Sequence, residues 1–192
     1  MKKLRFVSRL FKGVGMVFAK ISFYYANLSD ESKRQYLRKQ GCKIGDKTRF
    51  VGNCRGIGSE PYLIEIGEDC LISDHVCFHT HDGGVSVLNS LGYFEKPHDK
   101  IARIKVGNNC FLGSHSTIMM GVKIGDNCII GANSVVSKDI PSNSVAAGMP
   151  AKVICSIDDY YQKNMQRGVF YETVEMDSKK KRLFLEKHVK CI

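Results

Sequence analysis

The chain has 192 residues, 43% of them apolar and 25% charged, with no Trp and only 4 Pro. That length suits one domain with appendages, and that composition excludes a wholly disordered, collagen-like or proline-rich chain. The formal net charge of +10 is uneven: residues 1–43 hold 11 Lys/Arg against 2 Asp/Glu, 44–151 hold 9 against 11, and 152–192 hold 9 against 6. A basic end on a near-neutral body points to an acidic surface, such as anionic lipid, near the N-terminus. It argues against a body that lies along nucleic acid.

Residues 1–28 are apolar and basic, with Lys2, Lys3, Arg5, Arg9 and Lys12 ahead of a short apolar run at 13–19. The run is too short to span a bilayer, and no small-residue cleavage site follows it. The expectation is a cytoplasmic protein whose N-terminal helix is at most peripheral at the inner face of the membrane. Residues 30–40 read as a helix that Ser29 or Asp30 can cap and Gly41 can stop. The basic helical segment is therefore bounded at 1–41.

From Val106 an aliphatic residue recurs every six positions: Val106, Leu112, Ile118, Ile124, Ile130, Val136. Gly follows directly at 107, 113, 125 and 131, and a small or β-branched residue stands four positions after each aliphatic. The same grammar appears earlier at Ile44, Phe50, Ile66, Ile72 and Phe78. A period of six is neither helical nor that of a simple strand; it means short strands joined by tight turns, in coils that must stack. Gly and Asn/Asp are expected to supply turn conformations with positive φ. The repeat bounds a body at 42–154.

Eight Cys are too sparse for a disulfide scaffold, and neither a CxxC pair nor a Cys/His zinc spacing is present. Cys54, Cys70, Cys110 and Cys128 fall four after an inward aliphatic, which marks them as packing residues rather than ligands or nucleophiles.

The phase breaks twice, with a spacing of 16 between Phe50 and Ile66 and of 28 between Phe78 and Val106. A regular solenoid throws out such insertions as loops, and loops carry function. The second, an extruded loop at about 79–103, begins His79-Thr80-His81-Asp82-Gly83-Gly84. After Pro150 the chain turns polar; 157–165 and 178–189 read as helices within a tail at 155–192.

The hexads, together with Ser137-Lys138-Asp139-Ile140-Pro141 and Gly148-Met149-Pro150-Ala151-Lys152, resemble the hexapeptide-repeat acetyltransferases over about residues 36–154. Ser59-Glu60-Pro61-Tyr62 and His81-Asp82-Gly83-Gly84 look most like the branch that acts on surface polysaccharides. The resemblance implies an all-β fold, a left-handed parallel β-helix of hexapeptide repeats with N- and C-terminal helical appendages. It also implies a homotrimer with active sites between subunits. The co-substrate would be acetyl-CoA and the acceptor a hydroxyl of a sugar or glycan precursor, with no metal required. His81 matches the family's general base, a group needed because a hydroxyl is a poor nucleophile. Ser114, Ala132 and Ser137 match positions lining the acetyl-CoA arm, and Lys138 and Lys152 match positions near its phosphates. Asp82 and Glu60 both stand as candidates to orient His81, against a turn-forming role for Asp82 and a sugar-binding one for Glu60.

Other readings are open at this point. An acetyltransferase for a small xenobiotic or a free sugar fits the same motifs. A β-helical carbonic anhydrase does not, because the residue five after His115 is Met120 rather than a His ligand. A non-catalytic structural solenoid explains the hexads but neither the loop histidines nor the Gly-Met-Pro-Ala-Lys tail.

Overall fold

The computed structural model describes residues 29–189, so the proposed membrane-lying helix at 1–28 lies outside the described residues. The hexads fold as short parallel strands on three faces of a prism. The first face carries β1 (Lys43–Ile44), β3 (Ile64–Ile66), β6 (Ile104–Val106) and β9 (Lys123–Ile124). The second carries β2 (Arg49–Phe50), β4 (Leu71–Ile72), β7 (Phe111–Leu112), β10 (Ile129–Ile130), β12 (Ser144–Gly148) and β13 (Ala151–Ser156). The third carries β5 (Cys77–Phe78), β8 (Thr117–Ile118) and β11 (Val135–Val136). The registers Phe111↔Ile129 and Thr117↔Val135 stack residues 18 apart, so three hexads make one coil. Pairing is parallel throughout except between β12 and β13, whose antiparallel hairpin closes one end of the stack.

Each two-residue strand turns one side chain in and one out. The inward set is the repeat aliphatics, and Leu112, Ile118, Ile130 and Val136 are 0% exposed. Removing these side chains from water is what holds the coils together, since no single coil can enclose its own apolar edge.

The left-handed turn positions go to Asp69 (φ 57°), Asn109 (52°), Asn127 (55°), Asn133 (56°), Asn143 (60°) and Gly121 (81°), as expected of Asn/Asp and Gly, and also to His75 and His115, but not to the glycines that directly follow the aliphatics. Gly107 is required for space: a Cβ there would stand 2.7 Å from the backbone carbon of Gly125 in the next coil. The small residues four after the aliphatics are buried, and at one corner they are also hydrogen-bond donors. Thr48 Oγ1 donates to the Gly67 carbonyl (2.7 Å), Cys70 Sγ to Gly107 (3.1 Å), Cys110 Sγ to Gly125 (3.1 Å) and Cys128 Sγ to Pro141 (3.2 Å). The thiols thus tie each coil to a turn carbonyl of the next.

The other end of the stack is capped by α1 (Asp30–Lys39), whose N-cap is Ser29. Its basic side chains meet the free carbonyls of the first coil: Lys33 Nζ donates to Phe50 O (3.0 Å), Arg34 Nη1 to Thr48 O (2.7 Å) and Arg38 Nη2 to Ile44 O (2.6 Å). An open sheet edge is thereby blunted. Helix α2 (Val85–Ser90) lies in the extruded loop. After the hairpin come α3 (Ile157–Arg167), with a Ser156/Asp159 capping box and Gly168 in the left-handed region (φ 62°), and α4 (Ser178–His188). Among the described residues no helix is long and apolar enough to cross a membrane.

Candidate active site

The two phase breaks meet. Residues of the first form the 3-10 turn Arg55–Ile57, packed beside β5, and the 3-10 turn Pro61–Leu63, which leads into β3. This carries Glu60 to the edge where the chain leaves β5 at His79, Thr80 and His81. The second break leaves the solenoid there as a short ribbon, with His81 bridged antiparallel to Ile101. Two insertions in successive coils therefore build one edge of the prism.

At that edge His81 Nδ1 stands 2.8 Å from Glu60 Oε2. A carboxylate only accepts, so Nδ1 carries the proton and donates, and Nε2 of the neutral ring is left with its lone pair. The Thr80 hydroxyl donates to the same carboxylate oxygen, and the Ser59 hydroxyl donates to Oε1 at 2.8 Å. Thr80 is buried and Glu60's side chain is 17% exposed, whereas that of His81 is 51% exposed. The carboxylate is thus held from behind while the imidazole faces outward.

The electrostatics follow. Hydrogen bonds from Thr80, His81 and Ser59 hold the Glu60 carboxyl down at about 2. The hydrogen bond and charge of Glu60, with smaller contributions from Asp99 and Asp82, push the His81 imidazole above its ordinary value. Asp82 does not touch the ring. It accepts from the Gly84 N–H (2.8 Å) and from Lys100 Nζ (2.7 Å), which hold its carboxyl below the usual range and place it in the turn role. Of the two acidic candidates, Glu60 is the one hydrogen-bonded to the ring.

Four of the other predicted residues fall along both edges of the third face. Ser137 and Lys138 follow β11 on the edge that His79 leaves; His79 N–H bonds to Ile118 O, and Met119 N–H to Val136 O. Both are exposed. Ser114 and Ala132 lie on the opposite edge, where Ser114 Oγ is 2.6 Å from Ser73 Oγ. Lys152 is exposed on β13, opposite Ala147. One chain therefore does not bring the five together with His81. The described surface has grooves of about 490 Å³ on the first face and about 320 Å³ on the second, and neither is lined by any of them.

Four of the five remaining histidines are engaged elsewhere, and His79 is exposed. His75 and His115 take left-handed turn positions (φ 58° and 60°), their rings stacked at 4.7 Å. His98 is tied within its loop, Nδ1 donating to Lys96 O (2.7 Å) and the ring stacked on Phe94. His188 lies at the end of α4 and bonds Phe184 O. Among the described residues no group of three or more His, Cys, Asp or Glu could hold a metal ion.

Comparison with known proteins gives the fold a family. A family model described as the hexapeptide repeat of succinyl-transferase matches residues 103–138. Protein CapG of Staphylococcus aureus is 44% identical over 158 residues, covering 80% of this chain and 86% of that one. The chain belongs to the hexapeptide-repeat acetyltransferase family. It is an acetyltransferase, and its prism is the left-handed parallel β-helix of that family. The galactoside O-acetyltransferase of Escherichia coli (strain K12) is 40% identical over 130 residues, 65% of this chain and 61% of that one. The crystal structure of a maltose O-acetyltransferase from Clostridium difficile 630 shares the fold, with a TM-score of 0.51 and 24% identity over 72% of this chain and 84% of that one.

Proposed function

We propose that this acetyltransferase moves acetyl from acetyl-CoA to a hydroxyl of a sugar or of a surface-polysaccharide precursor, with His81 as general base and Glu60 as its positioning residue. The observation that carries the reading is the His81–Glu60 pair, 2.8 Å apart on an outward-facing edge. It is supported by a relative whose name specifies galactoside O-acetylation.

The chemistry asks little more of these residues. His81 Nε2 takes the proton of the acceptor hydroxyl as its oxygen attacks the thioester carbonyl. The carbonyl becomes an oxyanion, the C–S bond then breaks, and the imidazolium returns its proton to the departing sulfur. The products are an acetyl ester and the free thiol of CoA. Glu60 keeps the Nδ1–H tautomer in place and stabilises the transient imidazolium, as the buried carboxylate does in hydrolytic triads.

Acetyl-CoA would bind as an extended substrate. Ser114, Ala132 and Ser137 would line its arm, and Lys138 and Lys152 would meet its phosphates as point charges. Four of these residues occupy both edges of the third face and Lys152 stands on β13, and in this reading the groove is completed by a neighbouring subunit of a homotrimer. The basic segment at 1–28 would bring this assembly to anionic lipid at the inner face of the membrane. Incubating the full chain with acetyl-CoA and a panel of galactosides, maltose and polysaccharide-repeat sugars, with thiol release and product mass as readouts, tests the function. Acetyl ester formed on a sugar supports it; transfer to none of them overturns it.

A further inference from the structure

Two histidines away from the proposed catalytic edge stand face to face. His75 and His115 hold equivalent turn positions in successive coils, just ahead of β5 and β8, which pair in the register Cys77↔Thr117. The His115 N–H bonds the Asp74 carbonyl at 3.0 Å, which ties the two turns together. The rings are stacked with centroids 4.7 Å apart and planes 7° from parallel. Both residues are exposed, and they precede the third face, whereas His79 and His81 follow it. The acetyl-transfer chemistry uses neither ring. Nor does the turn itself call for imidazole, since Asn133 takes the same left-handed position in the next coil.

Asp74 prepares one of the two rings. Its Oδ1 accepts the His75 backbone N–H (3.0 Å), and its Oδ2 stands 2.9 Å from His75 Nδ1. A carboxylate only accepts, so Nδ1 of the neutral ring carries the proton and Nε2 presents a lone pair. A carboxylate behind an imidazole whose other nitrogen is free is the arrangement that orients metal-ligating histidines. Among the described residues no hydrogen bond engages the ring nitrogens of His115. Ser114 stands where Asp74 does in the coil before, and its Oγ is 2.6 Å from Ser73 Oγ.

We propose that His75 and His115 form a two-imidazole site for a late first-row divalent metal ion such as Ni(II), Cu(II) or Zn(II), with Asp74 as its positioning residue. Neutral imidazole suits these ions, whereas Mg²⁺ and Ca²⁺ take oxygen ligands. At metal–nitrogen distances of about 2.0–2.1 Å, two nitrogens on adjacent positions of one ion stand about 3 Å apart. From a 4.7 Å stack the ring tips then lean together by about 1–2 Å, a movement open to side chains that the core does not hold. Among the described residues no third protein ligand joins them, so water completes the shell. An ion held in this way pins two successive coils at one corner of the prism.

The test is calorimetric titration of the full chain with Ni(II) alone in a non-chelating buffer, beside His75→Asn, His115→Asn and Asp74→Asn. Asn keeps the left-handed turn, as Asn133 does, and a metal-free unfolding midpoint close to wild type checks that each variant folds. Expected in the wild type is a site that either His variant weakens by about tenfold or more. Asp74→Asn leaves both imidazoles and should weaken it by about tenfold, the low end for an outer partner because Asp74 is partly exposed. Ni(II) should also raise the unfolding midpoint of the wild type and not of the two His variants, because the ion binds only the stacked coils. No Ni(II) binding in the wild type overturns the proposal, and so does wild-type affinity in either His variant. Loss of the site in His81→Ala with His75→Asn unaffected overturns it too, since the ion would then sit on the other edge. Binding is read without turnover, so the result stands whether or not His81 is the base.

Discussion

Replacing Glu60 by Gln removes the charge behind His81 while keeping the side chain's size and an oxygen that can accept from Nδ1. Loss of the imidazole itself would cost about 10²–10⁴ in rate, which bounds the effect. Part of the arrangement should survive, because the Thr80 and Ser59 hydroxyls still bracket the Gln amide. The imidazole is also half exposed, so water screens some of what Glu60 supplies. The expected fall in kcat/KM is therefore about 10–100-fold, the span seen when an outer partner of a working histidine is lost. The pH profile carries the sharper signature. Glu60 raises the His81 pKa, and catalysis needs the neutral ring, so wild-type kcat/KM should rise with pH through a limb above about 6.5. In Glu60→Gln that limb should move down toward about 6.5. The assay is thiol release from acetyl-CoA at saturating and limiting acceptor across pH 5 to 9. A variant with an unchanged limb and a rate within twofold of wild type would refute the orienting role.

Lys138→Ala and Lys152→Ala should each raise the KM for acetyl-CoA by roughly tenfold with little change in kcat, as expected for uniform phosphate binding. Wild-type KM in both would show that the donor lies elsewhere. Light scattering should return a homotrimer of the 21.5 kDa chain, and a monomer with full activity would contradict a groove shared between subunits. Ile118→Ala, at a position fully buried on the third face, should lower unfolding stability by about 2–5 kcal/mol in denaturant titration. A loss under about 1 kcal/mol would mean the prism can collapse onto the gap.

The hexad period was legible because each coil repeats the same inward demand. Val106, Leu112, Ile118, Ile124, Ile130 and Val136 are all buried, and α1 is capped by Ser29, one of its two candidate caps. Hydrogen bonding was less legible than hydrophobicity. Cys70, Cys110 and Cys128 look like apolar filler in a pattern of side-chain sizes, yet each donates to a turn carbonyl in the next coil, as Thr48 does at the equivalent place. The Gly/Asn division of the turns was hidden for a related reason: whether a glycine is needed for φ or for clearance depends on the coil stacked against it. At the candidate site His81 was singled out by its match to the family's general base, at the start of the second insertion. Its partner was narrowed only to Asp82 or Glu60, because Glu60 lies 21 residues away in a different coil. The available signal was that both phase breaks fall in successive coils, so their residues had to share an edge.

The central claim is that His81 is the base, and its replacement tests this most directly. His81→Ala should fold and bind acetyl-CoA like wild type, because the side chain stands outside the prism and is half exposed. Turnover should fall by about 10²–10⁴. His79→Ala and His115→Ala, measured alongside, should keep most of the activity, since neither ring contacts Glu60 and His115 stacks on His75 at a different corner. A His81→Ala enzyme within about threefold of wild type, or a larger loss in His79→Ala than in His81→Ala, would contradict the account.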